Sequence, residues 1–266
     1  MFSGIREKEG RYKENDFMFL VSFIQKCKNM ITITEIAKMI DHSILHPILT
    51  DEDLKHHCEL AEKYGVATVC VKPYHTQLAA LLLKDSAVGI CTVVGFPHGN
   101  STTKIKTSET QEAILEGATE IDMVINIGKT LQHDWSYIER EINILNDTCL
   151  ENNAILKVIF ETDFVTEKDD KIRLCEICNR QKVGFVKTST GYGFVKDKDG
   201  KYGYEGATEN DIILLRAHCL PQIQIKASGG IRKLDQLLRA RELGATRIGA
   251  SATEAIMKEA MERFGG

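Results

Sequence analysis

The stretch Gly184-Phe-Val-Lys-Thr-Ser-Thr-Gly191 places a lysine at the end of a short apolar run, directly before a turn of small residues. The run predicts a buried strand that ends at Lys187. Burial removes water from an ammonium group, which disfavours the charged form and lowers its pKa. Lys187 is therefore a candidate amine nucleophile that could form a Schiff base with a carbonyl substrate. The alternative is a lysine that leaves the strand end and extends into solvent.

The composition is typical of a globular α/β protein. The chain has 266 residues, of which 43% are hydrophobic, and a formal net charge of −4. That charge gives no reason to expect nucleic acid or an acidic membrane as a partner. No run of about 18 apolar residues is present that could span a bilayer. The eight cysteines are scattered, which predicts reduced thiols in a cytoplasmic protein. Cys175 and Cys178 form a CxxC inside a helical pattern, which favours a structural role over a redox motif.

Residues 1–29 differ from the rest and are predicted to form an extension before a domain over residues 30–266. Ile5 to Asp16 is charged and mixed in sign, and Phe17 to Ile24 is nearly all apolar. Acidic residues in the first part argue against a secretory signal, and no small-residue cleavage site follows the second. We predict an accessory helix, packed on the main domain or on a partner subunit.

From Ile31 onward, short apolar runs alternate with longer segments of helical period. The predicted strands are Met39–Asp41, Thr68–Val71, Gly89–Val94, Glu120–Val124, Leu156–Glu161, Val183–Lys187, Gln224–Ala227 and Arg247–Gly249. The predicted helices are Asp51–Tyr64, Tyr74–Leu83, Thr103–Glu116, Trp135–Asn152, Thr166–Gln181, Thr208–Cys219, Lys233–Leu243 and Ala252–Arg263. Thr50 with Asp53 forms a capping box, the sequence from Thr208 to Asp211 repeats it, and glycines mark several helix ends.

This alternation predicts a single (β/α)₈ barrel. The apolar runs are continuous and do not alternate strictly, as in parallel sheets that are covered on both faces. Eight strands, each followed by a helix, match the count of a closed barrel of this kind. A doubly wound open sheet is the alternative, but no GxGxxG motif follows the first strand.

Charged residues fall at the carboxyl ends of the predicted strands, where such barrels place their catalytic groups. Lys187 and Lys226 occupy corresponding points of adjacent strands, which lie about 4.8 Å apart. Two like charges disfavour each other's ionisation, so one amine can be neutral near neutral pH. Asp122 supplies the opposite charge and can accept a proton. The alternative is a buried ion network that only holds the barrel together. Other polar residues at strand ends are Asp41, His42, Ser43, Cys70, Lys72, Asn126, Lys157 and Glu161.

Two glycine-containing turns follow the last two predicted strands. Ser228-Gly-Gly-Ile231 precedes one helix, and Gly249-Ala-Ser251 precedes another. Glycines let backbone N–H groups face a ligand, and helix N-termini favour anions. The loops after strands seven and eight are the usual phosphate site of this architecture. Together with the amine, they predict carbon–carbon bond chemistry on a phosphorylated sugar or aldehyde.

The sequence resembles the 2-deoxyribose-5-phosphate aldolases, a family of class I aldolases, in stretches that run in order from about Ile36 to Ser251. These stretches are Ile40-Asp-His-Ser-Ile-Leu45, Ala67-Thr-Val-Cys-Val71, Thr92-Val-Val-Gly-Phe-Pro97, Glu120-Ile-Asp-Met-Val-Ile-Asn126, Leu156-Lys-Val-Ile-Phe-Glu161, Phe185-Val-Lys-Thr-Ser-Thr-Gly191, Ile225-Lys-Ala-Ser-Gly-Gly-Ile231 and Arg247-Ile-Gly-Ala-Ser251.

The resemblance implies a barrel that reversibly cleaves 2-deoxy-D-ribose 5-phosphate to D-glyceraldehyde 3-phosphate and acetaldehyde, without a metal or an organic cofactor. Lys187 would form the Schiff base, and Lys226 would lower the pKa of Lys187 and join a proton relay. Asp122 would donate and accept the proton, and Thr190 would position a water. The substrate- and phosphate-binding residues would be Gly191, Gly229, Gly230, Gly249, Ser251, Asp41 and Ser43. We also expect deoxyribose phosphate catabolism as the role, and a homodimer or homotetramer.

The chain departs from the family pattern in two places besides its first 29 residues. The segment Phe194 to Glu205 is longer than expected, charged and glycine-bearing, which predicts a mobile flap at the barrel mouth. The chain ends in Arg263-Phe-Gly-Gly266, without the C-terminal tyrosine that some members use in proton transfer. This bears on the rate of the protonation step and not on the type of reaction. Lys72 adds a positive charge at the mouth and has no assigned role.

Three other functions remain open from the residues alone. A zinc-dependent aldolase would need a histidine cluster from His42 with His46, or from His56 with His57. A barrel isomerase would rely on a glutamate base, for which Glu161 alone is placed. A catalytically silent barrel that senses sugar phosphates would not need a lysine pair beside a carboxylate.

Overall fold

Eight parallel strands close into a barrel in the computed structural model, which describes residues 31–196 and 198–265. The barrel strands are β1 (Ile40–Ile44), β2 (Thr68–Val71), β3 (Gly89–Val94), β4 (Glu120–Val124), β5 (Ile155–Ile159), β6 (Phe185–Lys187), β9 (Gln224–Ser228) and β10 (Arg247–Ala250), and an antiparallel hairpin outside the barrel consists of β7 (Val195–Lys196) and β8 (Tyr202–Gly203). Around the barrel the order is β1-β10-β9-β6-β5-β4-β3-β2. The predicted (β/α)₈ barrel is confirmed.

Helices cover the outside of the barrel. They are α1 (Ile33–Lys38), α2 (Asp51–Tyr64), α3 (Thr76–Leu82), α4 (Thr103–Leu115), α5 (Ile127–Leu131), α6 (Trp135–Glu151), α7 (Lys168–Gln181), α8 (Glu209–His218), α9 (Leu234–Glu242) and α10 (Thr253–Phe264). The main hydrophobic core lies between these helices and the outward faces of the strands. Among the described helices, none combines the length and the apolar character that a membrane crossing would require.

Local sequence signals account for the helix boundaries. Thr50 and Asp53 form the predicted capping box at the start of α2, and Gly65 ends that helix in the left-handed conformation at φ 63°. The hydroxyl of Thr208 accepts a hydrogen bond from Asp211 N at the start of α8. The short helices α1 and α5 were not predicted, because their five or six residues are too few for a clear helical period.

Two strand boundaries differ from the predicted ones in a way that matters for the site. β1 extends to Ile44, beyond the predicted end at Asp41, and β5 begins at Ile155 and ends at Ile159. Lys157 therefore lies in the middle of β5 and not at its entry. Because side chains alternate along a strand, this position directs Lys157 to the same side as its register partner Asp122 on β4.

The predicted flap contains the β7–β8 hairpin. The rings of Phe194 and Tyr204 meet edge to face at 5.4 Å between centroids, at the base of the hairpin. The carboxylate of Asp163 accepts hydrogen bonds from the backbone N–H of Glu205 at 2.6 Å and of Gly206 at 3.1 Å. The rings thus join the start of the segment to its end, and Asp163 attaches that end to the loop after β5.

The predicted accessory helix in residues 1–29 lies outside the described residues, as does Cys27. All seven cysteines within the described part of the chain are free thiols, and all are buried. Cys175 and Cys178 lie inside α7, as the helical pattern of the CxxC indicated.

Candidate active site

The interior of the barrel is charged, which is the reverse of an ordinary hydrophobic core. Its polar side chains come from all eight barrel strands, at alternate positions where a strand supplies two, so they point inward together. They are Asp41 of β1, Thr68 and Cys70 of β2, Cys91 of β3, Glu120 and Asp122 of β4, Lys157 of β5, Lys187 of β6, Lys226 of β9 and Arg247 of β10.

Asp122 joins the two lysines that the sequence singled out. The Nζ atoms of Lys187 and Lys226 each lie 2.7 Å from the same oxygen, Oδ2 of Asp122. Lys187 and Lys226 are register partners on the adjacent strands β6 and β9, which explains why their ammonium groups meet at one atom. All three side chains are at most 3% exposed. The structure thus brings the proposed nucleophile, its cationic neighbour and the proton carrier into direct contact.

A second group of charges surrounds this trio, and of its members only Asp41 was predicted as a site residue, for substrate binding. Lys157 lies 2.8 Å from Oδ1 of Asp122 and 2.6 Å from Glu120. Arg247 contacts Asp41 at 2.5 Å and Glu120 at 3.0 Å. Asp41 in turn lies 2.6 Å from Lys226. Each carboxylate therefore has at least two cationic neighbours, as buried charges require.

The ion pairs shift the pKa values of Asp122 and Lys226. Burial raises the pKa of Asp122, but the three surrounding lysine ammonium groups outweigh it and hold the pKa well below its usual range. Burial lowers the pKa of Lys226, but Asp122 and Asp41 more than offset this, so the pKa of Lys226 is raised. Lys226 is therefore a permanent positive charge next to Lys187 at neutral pH.

Gly249 makes room for Ser228. A Cβ atom at position 249 would come within 2.7 Å of Ser228 Cβ, which is too close, and 3.4 Å from Lys226 Cε, which is an ordinary van der Waals contact. A side chain there would therefore displace Ser228. Gly249, predicted as a phosphate-binding residue, thus also lies next to the lysine site.

A cavity of about 680 Å³ lies at the barrel mouth, and the buried charges lie below it. Six of its lining residues belong to the predicted binding set: Ser43, Gly191, Gly229, Gly230, Gly249 and Ser251. Thr190 lines the cavity as well. Arg232, which was not predicted as a site residue, also lines it and is the arginine of this cavity. Gly229 and Gly230 have φ of 94° and 82°, a conformation that side-chain-bearing residues rarely adopt.

Asp41 and Lys72 are not among the residues that line this cavity, and both contact other groups of the protein. The carboxylate of Asp41 is fully buried and accepts a hydrogen bond from Thr68 at 2.7 Å in addition to its ion pairs. Its contacts place it among the supporting charges and not on the cavity wall. Lys72 donates to the backbone oxygens of His46 at 3.2 Å and Leu49 at 2.8 Å, so it holds the loop after β1.

Thiol and carboxylate groups approach one another in the interior in a manner that could suit a metal ion. Cys70, Cys91 and Asp122 form one such group, and Asp41, Cys91 and Glu120 form another. Lysine ammonium groups already contact the carboxylate oxygens of both groups. A further cation would meet these positive charges at close range, so the donor set fits an ion-pair network better than a metal site.

His42 and His57, which were considered as zinc ligands, are hydrogen-bonded to each other. His42 is buried outside the barrel, where its Nδ1 lies 2.7 Å from Thr253 Oγ1 and its Nε2 lies 2.8 Å from His57 Nδ1. Both ring nitrogens of His42 are thus occupied by hydrogen bonds, and the chain Thr253–His42–His57 links β1 to α2 and α10.

This arrangement predicts a pH-dependent stability. Burial, followed by the charges of His57 and His56, lowers the pKa of His42 from 6.5 to about 3. The unfolded chain therefore binds a proton below pH 6.5 that the folded chain does not bind, so the free energy of unfolding falls as the pH drops from 6.5 towards 3. We expect His42 to account for a loss on the order of 3 kcal/mol between pH 6.5 and about pH 4.

Urea unfolding of the wild type and of His42→Gln at a series of pH values measures this effect. The variant should be less stable at neutral pH and should lose less stability on acidification. His98→Gln, at an exposed position, is the control and should keep the wild-type slope. Equal slopes in the wild type and His42→Gln would contradict the assignment.

Comparisons with known proteins agree with this geometry. A family model described as DeoC/LacD family aldolase matches residues 35–258. The deoxyribose-phosphate aldolase of Rhodopirellula baltica is 43% identical over 231 residues, which is 87% of this chain and 91% of that protein. The deoxyribose-phosphate aldolase of Clostridium perfringens strain 13 is 43% identical over 222 residues, 84% of this chain and 94% of that protein.

Solved structures give the same result for the fold. The structure described as "QR15, an Aldolase" superposes with a TM-score of 0.78 at 32% identity and covers 86% of this chain and 96% of its own. The tetrameric deoxyribose phosphate aldolase of Aeropyrum pernix superposes with a TM-score of 0.77 at 26% identity, over 87% of this chain and 93% of its own.

Proposed function

Because this chain belongs to the DeoC/LacD family of aldolases, we propose that it reversibly cleaves 2-deoxy-D-ribose 5-phosphate to D-glyceraldehyde 3-phosphate and acetaldehyde through a Schiff base on Lys187. The observation that carries the proposal is the contact of Lys187 and Lys226 with one oxygen of Asp122, below a cavity lined by glycine turns. A charged carboxylate and a charged lysine on either side of an amine can take its proton and disfavour its return.

The first step forms the covalent intermediate. Lys187 transfers a proton to Asp122, and its neutral amine attacks the aldehyde carbon of the open-chain sugar. Asp122 then returns this proton to the hydroxyl group of the resulting carbinolamine, which leaves as water, so a protonated imine forms and Asp122 is a carboxylate again. Lys226 remains charged throughout and stays paired with Asp122 and Asp41.

The second step breaks the bond between the second and third sugar carbons. The protonated imine withdraws the electron pair of that bond, while the 3-hydroxyl loses its proton to Asp122 through a water that Thr190 helps to position. The products are the aldehyde of D-glyceraldehyde 3-phosphate and an enamine on Lys187. Protonation of the enamine carbon and hydrolysis of the imine then release acetaldehyde and restore the amine.

The phosphate group is assigned to the far side of the cavity. The turns that contain Gly229, Gly230 and Ser251 precede α9 and α10, whose N-termini favour an anion. Arg232 adds a guanidinium group, which suits the oxygens of a phosphate. With the phosphate held at the mouth, the aldehyde end of the sugar would reach down to Lys187.

Removing Arg232 tests the phosphate assignment. We expect Arg232→Ala to raise the KM for 2-deoxyribose 5-phosphate by about tenfold to a hundredfold, because a charge-assisted hydrogen bond contributes about 1.5–3 kcal/mol. The turnover number should change little, and cleavage of 2-deoxyribose without its phosphate should not change. Kinetics on the two sugars, followed by release of acetaldehyde, measure both effects.

Arg173→Ala on the exposed face of α7 is the matched control and should behave as the wild type. A wild type that cleaves both sugars equally well would contradict the proposed substrate. A similar rise in KM for both sugars in Arg232→Ala would contradict the role of Arg232 alone.

The proposal includes a cellular role and an assembly. Cleavage yields two smaller carbon compounds, so we assign the enzyme to deoxyribose phosphate catabolism. The buried free thiols suit a reducing compartment such as the cytoplasm. A homodimer or homotetramer is proposed because the similar aldolase of Aeropyrum pernix is described as a tetramer.

A further inference from the structure

Glu161 follows β5 in a backbone conformation that glutamate rarely adopts. Its φ is 55°, in the left-handed region that residues with a side chain rarely adopt. Its side chain is fully buried at the carboxyl end of the barrel, where a carboxylate is also unfavourable. The proposed reaction steps do not use this carboxyl group.

The carboxyl group of Glu161 is directed at Thr190. The backbone N–H of Thr190 donates to Oε2 at 3.2 Å and to Oε1 at 3.3 Å, and the hydroxyl of Thr190 also contacts Oε2. The same hydroxyl oxygen accepts a hydrogen bond from the backbone N–H of Tyr192 at 2.9 Å. Thr190 lines the cavity at the barrel mouth, so its hydroxyl connects the buried carboxyl group to the space for substrate.

These two hydrogen bonds leave the hydroxyl of Thr190 with one position for a further hydrogen bond. When Glu161 is ionised, it accepts the hydroxyl proton, and Tyr192 N–H occupies one lone pair. The second lone pair is the remaining position, so Thr190 can accept a further hydrogen bond but cannot donate one. When Glu161 is protonated, its own O–H donates to the Thr190 oxygen, and the Thr190 proton becomes available to donate.

We propose that Glu161 is a positioning residue that sets whether the hydroxyl of Thr190 accepts or donates a hydrogen bond at the cavity. The inference rests on the proposed aldol cleavage. A water that donates one proton to Thr190 and the other to Asp122 keeps its lone pairs directed at the substrate, ready to take the proton of the 3-hydroxyl. A Thr190 that donates would occupy one of those lone pairs and slow the transfer.

The surroundings of Glu161 bring the pKa of its carboxyl group close to neutral pH. Burial raises the pKa of Glu161, the hydrogen bonds from Thr190 lower it, Asp163 raises it and Lys187 lowers it, and the result is about 7. The folded protein thus holds this carboxyl group partly protonated near neutral pH. Cleavage should fall as the pH decreases through about 7, because protonation converts Thr190 from an acceptor to a donor.

The test compares turnover numbers for aldol cleavage over a series of pH values on both sides of neutrality. In the wild type, we expect the turnover number to fall by about tenfold below an inflection near pH 7. Glu161→Gln should lose that inflection, because an amide does not titrate. Thr190→Val, which keeps the carboxyl group but removes the hydroxyl, should lose it too, and Thr190→Ser should retain it.

These variants separate the inference from the proposed reaction and from a purely structural role. A general loss of stability would lower the turnover number at every pH and leave the inflection in place. If Glu161→Gln does not fold, Thr190→Val decides the question alone. An unchanged inflection in either variant would overturn the inference while leaving the aldol reaction intact. Failure of the wild type to cleave the sugar phosphate would instead overturn the proposed function.

Discussion

Replacing Lys187 with arginine should lower turnover of 2-deoxyribose 5-phosphate by at least about 10⁴-fold, because the guanidinium group stays protonated and cannot form an imine. The positive charge and the ion pair with Asp122 can be retained, so the variant should fold and bind a sugar phosphate. Treatment with borohydride and acetaldehyde should add a stable ethyl group to the wild type at Lys187 and leave the variant unmodified. Mass spectrometry of peptides measures this modification, and calorimetry measures binding of the sugar phosphate to the variant.

Lys104→Arg on the exposed surface of α4 controls for loss of a lysine at a site unrelated to the barrel interior. It should retain full turnover and full labelling of Lys187. Labelling of another lysine in the wild type, or turnover by Lys187→Arg within tenfold of the wild type, would refute the Schiff base at position 187.

Replacing Asp122 with asparagine should remove both stability and turnover. Three lysine ammonium groups lie within 2.8 Å of its two oxygens, and each would lose its shared counterion in a buried site. Breaking a buried ion pair costs about 3–5 kcal/mol. Loss of the proton carrier should lower the turnover number by about 10²- to 10⁴-fold. Urea unfolding and single-substrate kinetics at neutral pH measure the two losses separately.

A second substitution distinguishes charge balance from catalysis. Adding Lys157→Met to Asp122→Asn removes one cation and returns the ion network to its original net charge, so part of the lost stability should return while turnover stays low. Asp211→Asn, which breaks a buried pair with Lys171 outside the barrel, should be destabilised and keep its turnover number. A stable, active Asp122→Asn would exclude Asp122 as the proton carrier.

The barrel was predictable from the sequence because its strands are short, apolar and punctuated by clear turns. The predicted bounds of Thr68–Val71, Gly89–Val94 and Glu120–Val124 agree with the structure at both ends. The boundaries of β1 and β5 were less accurate because polar residues interrupt both runs. The β7–β8 hairpin was missed because each of its strands has only two residues, too short for any alternation to be visible.

The contact among Lys187, Lys226 and Asp122 was predictable, and the charges that surround it were not. Lys187 stands out because it ends an apolar strand, and Lys226 because it occupies the corresponding point of the adjacent strand. Lys157, Glu120 and Arg247 lie at the start or in the middle of strands, where a single charge could equally face solvent. Only closure of the barrel, which pairs β1 with β10, brings Arg247 to Asp41.

Glu161 was placed at a strand end by the sequence, but its connection to Thr190 was not foreseen. Strand pairing between β5 and β6 brings the two segments that follow these strands side by side. The left-handed backbone at position 161 then turns the side chain towards Thr190. Backbone conformation at a single non-glycine residue leaves no trace in residue order, so a structure was needed to find it.

The ion network holds one more cation than it holds carboxylates. The cations are Lys157, Lys187, Lys226 and Arg247, and the carboxylates are Asp41, Glu120 and Asp122. Conversion of a lysine ammonium to a protonated imine leaves that count unchanged. The net charge of the barrel interior is therefore the same before and after the covalent bond forms. The neighbouring ion pairs can then keep their positions around the intermediate.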